Sequence, residues 1–143
     1  MELHYFRMSL EIQEREREGI VILDLSGRLI VGEAVSGLRE KIRELSDAGK
    51  NNIILNLEQV DYIDSTGLGG LVIGYTNSKK LGGALKVLNL SPRNIELLVL
   101  TKLTTVFEIF NDEQDAVNSF FPNRQIRKFD ILSFVQQQNP PEN

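Results

Sequence analysis

The residues whose side chains could most clearly carry out chemistry lie in the stretch Val60 to Gly69. There, Asp64 and Ser65 stand directly before apolar residues that are spaced as in a helix. The apolar run Asn52 to Leu57 precedes this stretch and predicts a strand buried on both faces. A short oxygen-bearing side chain at a helix start accepts a hydrogen bond from a first-turn amide, so Asp64 or Ser65 is the predicted N-cap. The Ser65 hydroxyl would then lie near the positive end of a helix. That position suits a hydroxyl that gains and loses a phosphate.

Two other roles for Ser65 compete with phosphate transfer. Asp-Ser-Thr is an ordinary sequence before a helix, so Asp64 to Thr66 could serve capping alone. A catalytic role lacks its partners, because Gly-x-Ser-x-Gly is absent and the only histidine is His4. The sequence therefore predicts no enzyme.

Neighbouring aspartates and glycines complete neither a metal site nor a nucleotide site. Asp61 and Asp64 could suggest a magnesium site or a phosphoacceptor aspartate, but the segment Leu25 to Arg28 supplies no acidic pair. Turn formation and capping explain both aspartates. The glycines of Gly67-Leu68-Gly69 do not form a dinucleotide loop, because Val72 occupies the position of the third glycine. We expect no cofactor and no metal.

Composition narrows the class of protein. The 143 residues, of which 41% are hydrophobic and 25% charged, fit one soluble domain. A net charge of −4 gives no electrostatic footprint for nucleic acid, and the absence of cysteine excludes disulfides and thiolate chemistry. The apolar runs are too short to span a bilayer, and Met1 to His4 does not open a signal peptide. We expect a cytoplasmic protein without a membrane segment.

Hydrophobic periodicity predicts an α/β fold with alternating strands and helices. The predicted strands are residues 8–18, Ile20 to Leu25, Asn52 to Leu57, Ala84 to Leu90 and Thr105 to Phe110. The predicted helices begin at Glu33, at Asp64 or Ser65, at Ser91-Pro92 and at Asp112. Within residues 8–18, the edge strand is expected to end in a solvated loop at the charged run Glu14 to Glu18, and Gly27 is expected to end the second strand. An N-terminal hairpin followed by parallel strands gives a mixed four- to five-stranded sheet, with about four helices packed mainly on one face.

Several ordered motifs resemble those of the STAS domain in bacterial anti-sigma factor antagonists. The first is Asp64 to Gly69, preceded by Asn56-Leu57 and Tyr62; the others are Gly82 to Ser91 and Leu103 to Phe107. The resemblance covers about residues 8–121. It implies that Ser65 is phosphorylated by a serine kinase that also serves as the anti-sigma factor, and that a phosphatase reverses the modification.

The resemblance also implies which residues contact the partner. They are Ile63, Asp64, Ser65, Thr66, Gly67, Leu68, Gly69 and Asn89. Unphosphorylated Ser65 would permit binding, and a phosphate would add roughly 1.5 to 2 negative charges and weaken it. The alternative is a STAS scaffold of a stressosome-like assembly or a transporter accessory. One departure bears on the partner, because Arg28 and Ile30 stand where many family members have acidic residues.

Residues 1–121 are predicted to form the STAS domain, and residues 122–143 a C-terminal extension. Its segment 126–135 is too apolar for a free tail and could cover this domain or form a homodimer. The end, residues 136–143, has a disordered composition. Four glycines of the predicted second helix, at 67, 69, 70 and 74, indicate either close packing or a surface kept shallow for a partner.

Overall fold

The computed structural model describes residues 10–127 and 129–138. The strands are β1 Leu10–Arg17, β2 Ile20–Leu29, β3 Asn52–Ile63, β4 Ala84–Leu88 and β5 Ile109–Phe110. The helices are α1 Glu33–Asp47, α2 Ser65–Lys80, α3 Pro92–Leu100, α4 Glu113–Asn118 and α5 Ile131–Gln138. His4 and residues 139–143 of the predicted disordered end lie outside the described residues.

The strands form one sheet in the order β1-β2-β3-β4-β5. β1 and β2 pair antiparallel, as a hairpin, and the remaining neighbours pair parallel. The predicted mixed α/β sheet is therefore confirmed. Because consecutive parallel strands are joined through helices, the carboxyl ends of β2 and β3 lie at the same edge of the sheet, where α1 and α2 begin.

Alternating strand residues divide the core between the two faces of the sheet. Leu23, Leu55 and Val87 belong to the larger cluster, which also takes in the buried sides of α1 and α2 and Leu98 of α3. Ile22 and Ile54 belong to a smaller cluster, covered by α4. The larger cluster bears out the expectation that most helices pack on one face.

Two strands continue beyond their predicted ends. β2 passes Gly27 and reaches Leu29, and β3 passes Leu57 and reaches Ile63, because the two strands pair along their whole shared length. The register shifts twice in this region, and each shift leaves one extra residue on β3. Such bulges bend a strand and re-aim the residues that follow.

The prediction of a solvated loop at the charged run is also wrong, because Glu14 to Arg17 belong to β1. Arg15 donates to Asp24 of β2, with 2.6 Å between its Nε and Oδ2, and to Glu113 of α4. Arg17 also pairs with Glu113, at 2.6 Å between Nη1 and Oε2. Cross-strand and strand-to-helix ion pairs thus accommodate charges that a solvated loop would expose.

The fifth strand is shorter than predicted, and the C-terminal extension contains a helix, α5, that was not predicted. Residues 104–107 form turns, and only Ile109–Phe110 pair with β4. Phe129 and Ile131 pack against the larger core cluster, and the Phe129 amide donates to the Ile109 carbonyl over 3.1 Å. Residues 136–138 belong to α5, so the prediction of disorder from residue 136 is wrong for these three.

Candidate functional site

The junction between β3 and α2 is held by Asp64, which is the N-cap of α2. Its Oδ1 accepts a hydrogen bond from the Gly67 amide over 2.7 Å, and its Oδ2 accepts one from the Val31 amide over 2.9 Å. Asp64 therefore caps its own helix and also ties the loop after β2 to this junction. Of the two candidates for the cap, the structure selects Asp64 and places Ser65 at the first helical position.

These amides affect the ionisation of Asp64. The hydrogen bonds from Val31, Gly67 and Thr66 lower the pKa of the Asp64 carboxyl, since they stabilise its charged form. Asp64 is consequently ionised at neutral pH beside Ser65. Any anion added to Ser65 will meet a fixed negative neighbour.

Backbone contact closes the junction on its other side. The Asp64 amide donates to the Leu29 carbonyl over 3.2 Å. A Cβ at Gly67 would lie only 2.1 Å from the same carbonyl oxygen, so only glycine lets the first turn of α2 approach the end of β2 this closely. Gly67 is a packing residue rather than a surface residue.

The predicted partner-binding residues divide into supporting and accessible ones. Ile63, Gly67 and Leu68 are buried, whereas Ser65 and Thr66 are exposed. Asp64 and Gly69 are half-buried, and a Cβ at Gly69 would meet nothing within 4 Å. Among the described residues, the Ser65 hydroxyl makes no hydrogen bond. The first turn of α2 thus exposes a hydroxyl whose backbone is held by buried neighbours and which makes no hydrogen bond among the described residues.

Asn89 does not join this group. It follows β4 with a positive φ of 60°, and its Nδ2 is 3.5 Å from Oδ1 of Asn56. β3 runs on from Asn56 to Ile63, which at the ordinary rise of a strand is roughly 20 Å. Asn89 therefore belongs to a polar network that also includes Asp24, and the structure does not bring it to Ser65.

The site includes residues that were not among the predicted partner-binding residues. Val31 is 65% exposed and lies beside Asp64 through its amide. Tyr62, which is 41% exposed, lies under the Arg93 guanidinium, with Cζ 5.3 Å from the ring centroid. The predicted parallel pairing could have indicated the Val31 contact, because neighbouring parallel strands end at one edge of the sheet, and this brings the loop after β2 to the Ser65 loop. We call Val31, Ser65, Thr66 and Gly69 together the Ser65 surface.

The two residues that depart from the family pattern lie at the end of β2 and in the loop after it. Arg28 is exposed and stands opposite Tyr62 in the β2–β3 register. Ile30 is half-buried and packs against the larger core cluster. The departure therefore changes the charge of the surface near Tyr62, whereas Ile30 contributes to packing.

Neither a metal centre nor a membrane span is found in the part of the chain that the structure describes. Within residues 10–127 and 129–138, no three acidic or histidine side chains gather as metal ligands. No helix in that part is long and apolar enough to cross a bilayer.

Comparison with known sequences places the fold and the junction in a family. The family model described as the STAS domain matches residues 11–116. The chain belongs to the STAS domain family. The anti-sigma-B factor antagonist of Bacillus subtilis is 35% identical to this STAS protein over 110 residues, which is 77% of this chain and 99% of that one.

Solved structures agree with this membership. An anti-sigma factor antagonist from Mycobacterium paratuberculosis shares the fold, with a TM-score of 0.69 at 20% identity, over 80% of this chain and 96% of that chain. The anti-sigma factor antagonist SpoIIAA in its unphosphorylated form gives a TM-score of 0.58 at 25% identity, over 76% of this chain and 96% of that chain. These two solved structures and the Bacillus subtilis relative are all named as anti-sigma factor antagonists.

Proposed function

We propose that this STAS protein is a cytoplasmic, non-catalytic anti-sigma factor antagonist whose binding to an anti-sigma serine kinase is controlled by phosphorylation of Ser65. The observation that carries the proposal is the position of Ser65 at the first residue of α2. Asp64 does the capping, so the Ser65 hydroxyl is exposed and available to a kinase. The similarity to the anti-sigma-B factor antagonist supports the class of partner.

The same geometry explains how a phosphate would oppose binding. The amides of Thr66 and Gly67 already interact with Asp64, so the phosphate oxygens would project outward rather than replace the cap. The positive end of the helix dipole still tolerates the added charge. A partner resting on the Ser65 surface would have to desolvate a phosphate next to ionised Asp64, which costs far more than covering a neutral hydroxyl.

Unphosphorylated protein would therefore hold the kinase and release its sigma factor. Phosphorylation would end that complex, and a protein phosphatase would restore binding. The buried residues Ile63, Gly67 and Leu68 position the loop in this scheme, and the Ser65 surface makes the contact.

The test is intact mass spectrometry after incubation with ATP and each candidate serine kinase of the source organism. Thr66→Ala is the matched control for Ser65→Ala, because Thr66 is the adjacent exposed hydroxyl on the same turn. We expect one added phosphate in the wild type and in Thr66→Ala and none in Ser65→Ala. Pull-down should retain the kinase with unmodified protein only.

Other outcomes would count against the proposal. If the phosphate persists in Ser65→Ala, another residue is the acceptor. If no kinase either binds or modifies the wild type, the switch has no enzyme, and a STAS scaffold without phosphorylation becomes the better assignment.

A further inference from the structure

A groove between α1 and α2 lies outside the Ser65 surface and has a volume of about 530 Å³. Small residues from both helices form much of its lining: Ser36, Ser46, Gly70, Gly74 and Asn77. Gly74 is small because the helices pack closely there, since a Cβ would lie 3.1 Å from Ile42 Cδ1. The same lack of side chains leaves the outer side of the helix pair concave.

Apolar side chains line the groove while remaining exposed to solvent. Ile73 is 44% exposed and Leu81 is 55% exposed, and both lie on the α2 side. Branched side chains that are about half exposed beside a concavity are positions at which a partner gains free energy from burial. The groove thus offers an apolar strip for another protein.

The rim is positively charged, in contrast to the rest of the chain. Arg39 and Lys80 line the groove and form no ion pair among the described residues. Arg43 pairs with Glu40, at 2.8 Å between Nη2 and Oε1, and these two charges offset each other. The groove therefore carries two uncompensated cations in a chain whose net charge is −4. This charge pattern favours an occupant with acidic side chains.

The dimensions favour a helix as the occupant. The lining residues of α1 run from Ser36 to Ser46, which at 1.5 Å per residue is about 15 Å, or roughly three helical turns. An amphipathic helix buries an apolar stripe in a groove of this kind and keeps its polar side at the rim. The groove borders the Ser65 surface, because Ile73 of the groove follows Gly69 of that surface by four residues, and residues four apart lie on the same face of a helix.

We propose that the α1–α2 groove binds an acidic amphipathic helix of the same kinase that contacts the Ser65 surface. The inference rests on the proposed function for the identity of that protein, and it assigns the chemistry of the kinase segment. The apolar stripe of that helix covers Ile73 and Leu81. Its carboxylates lie against Arg39 and Lys80, so the groove holds a second part of the partner beyond the reach of the phosphate.

The test measures the dissociation constant of the purified kinase for unphosphorylated wild type and for single variants at low and high salt. Arg39→Glu and Lys80→Glu reverse a rim charge, and Ile73→Asp removes the apolar contact. We expect each to weaken binding about tenfold, with the charge reversals losing most of their effect at high salt. Lys102→Glu, a matched reversal outside the groove, should leave the constant unchanged. Thermal unfolding of every variant checks that the fold is retained.

The outcomes separate this inference from the proposed function. Suppose that the kinase binds wild type, that this binding is lost on Ser65 phosphorylation, and that all three groove variants bind the kinase as tightly as wild type. The groove inference is then overturned and the switch stands. If no kinase binds wild type, both fail. Binding to anionic phospholipid vesicles that is lost in Arg39→Glu and Lys80→Glu, with kinase binding intact, would assign the groove to a membrane surface and overturn the proposed helix.

Discussion

Two glycines of α2 should respond in opposite directions to the same substitution. A Cβ at Gly67 would lie 2.1 Å from the Leu29 carbonyl oxygen, whereas a Cβ at Gly69 would meet nothing within 4 Å. Alanine at either position removes the entropic penalty of glycine in a helix, worth about 1 kcal/mol. Only at Gly67 must the backbone move, and the first turn of α2 would have to retreat by about 1 Å.

The retreat at Gly67 would cost several contacts at once. It would break the hydrogen bond from the Asp64 amide to Leu29, worth about 1 kcal/mol, and misplace the Asp64 cap, worth about 1 kcal/mol more. Residual strain adds about 1 to 3 kcal/mol. Against the helix gain, Gly67→Ala should lower the free energy of unfolding by about 2 to 4 kcal/mol, and the melting temperature by roughly 10 °C.

Gly69→Ala should instead raise the free energy of unfolding by about 0.5 to 1 kcal/mol. Urea denaturation of both variants and wild type, with a common slope, measures the two changes. Equal stability of Gly67→Ala and Gly69→Ala would refute the reasoning, because it would mean that the end of β2 yields freely. Kinase binding by Gly69→Ala then shows whether the partner requires the flat surface there.

Three further perturbations test the packing of the fold away from the Ser65 surface. Hydrogen bonding to Arg15 lowers the pKa of Glu113 to about 2. This pair therefore stabilises the fold above about pH 4.5, and its contribution is lost as the pH falls towards 2. In urea titrations, Glu113→Gln should lose less stability than wild type between about pH 6 and pH 3. Lys86→Ala removes donors to both oxygens of Ser119 and should lower the free energy of unfolding by about 2 kcal/mol by urea denaturation, whereas an unchanged midpoint would contradict its role. Phe129→Ala should lower it by about 1 to 2 kcal/mol without changing the mass in solution; a change from dimer to monomer in light scattering would place Phe129 in a dimer contact instead.

Local signals predicted the centre of the fold well. The apolar run of β3, the capping residues after it and the helical spacing of α2 are all written within about thirty consecutive residues. Serine and proline likewise predicted the start of α3, where the Ser91 hydroxyl accepts from the Asn94 amide over 3.2 Å. Each of these elements is specified mainly by neighbours in sequence.

Tertiary pairing decided what the sequence did not predict. Gly27 has a φ of 117°, a conformation that usually ends a strand, yet β2 continues through it to pair with the end of β3. Thr105 and Val106 have strand propensity, but residues 104–107 turn so that Val106 and Phe107 pack on the core. In both places, contacts with distant parts of the chain determined the backbone conformation, and the local conformational preference of the residues did not.

The candidate site shows the same division. Ser65 and its capping neighbour were predictable because the motif is contiguous, whereas the Val31 contact requires two parallel strands to end together. Asn89 was also predicted to be part of the partner-binding set, and the structure places it beside Asn56, away from Ser65. The α1–α2 groove depends on how two helices pack, and no single segment of the sequence encodes it.

The contacts that support the Ser65 loop bear on the proposed function, because they would let phosphorylation change binding without changing the fold. The hydrogen bonds that tie the start of α2 to the end of β2 and its following loop involve Asp64 and not Ser65: Asp64 accepts from Gly67 and Val31, and its amide donates to Leu29. Ser65 itself contributes none of these, so its chemistry is separated from the stability of the junction. Under the proposed function, a phosphate at Ser65 would therefore act on the surface alone, and its removal would return the unmodified protein with its fold intact.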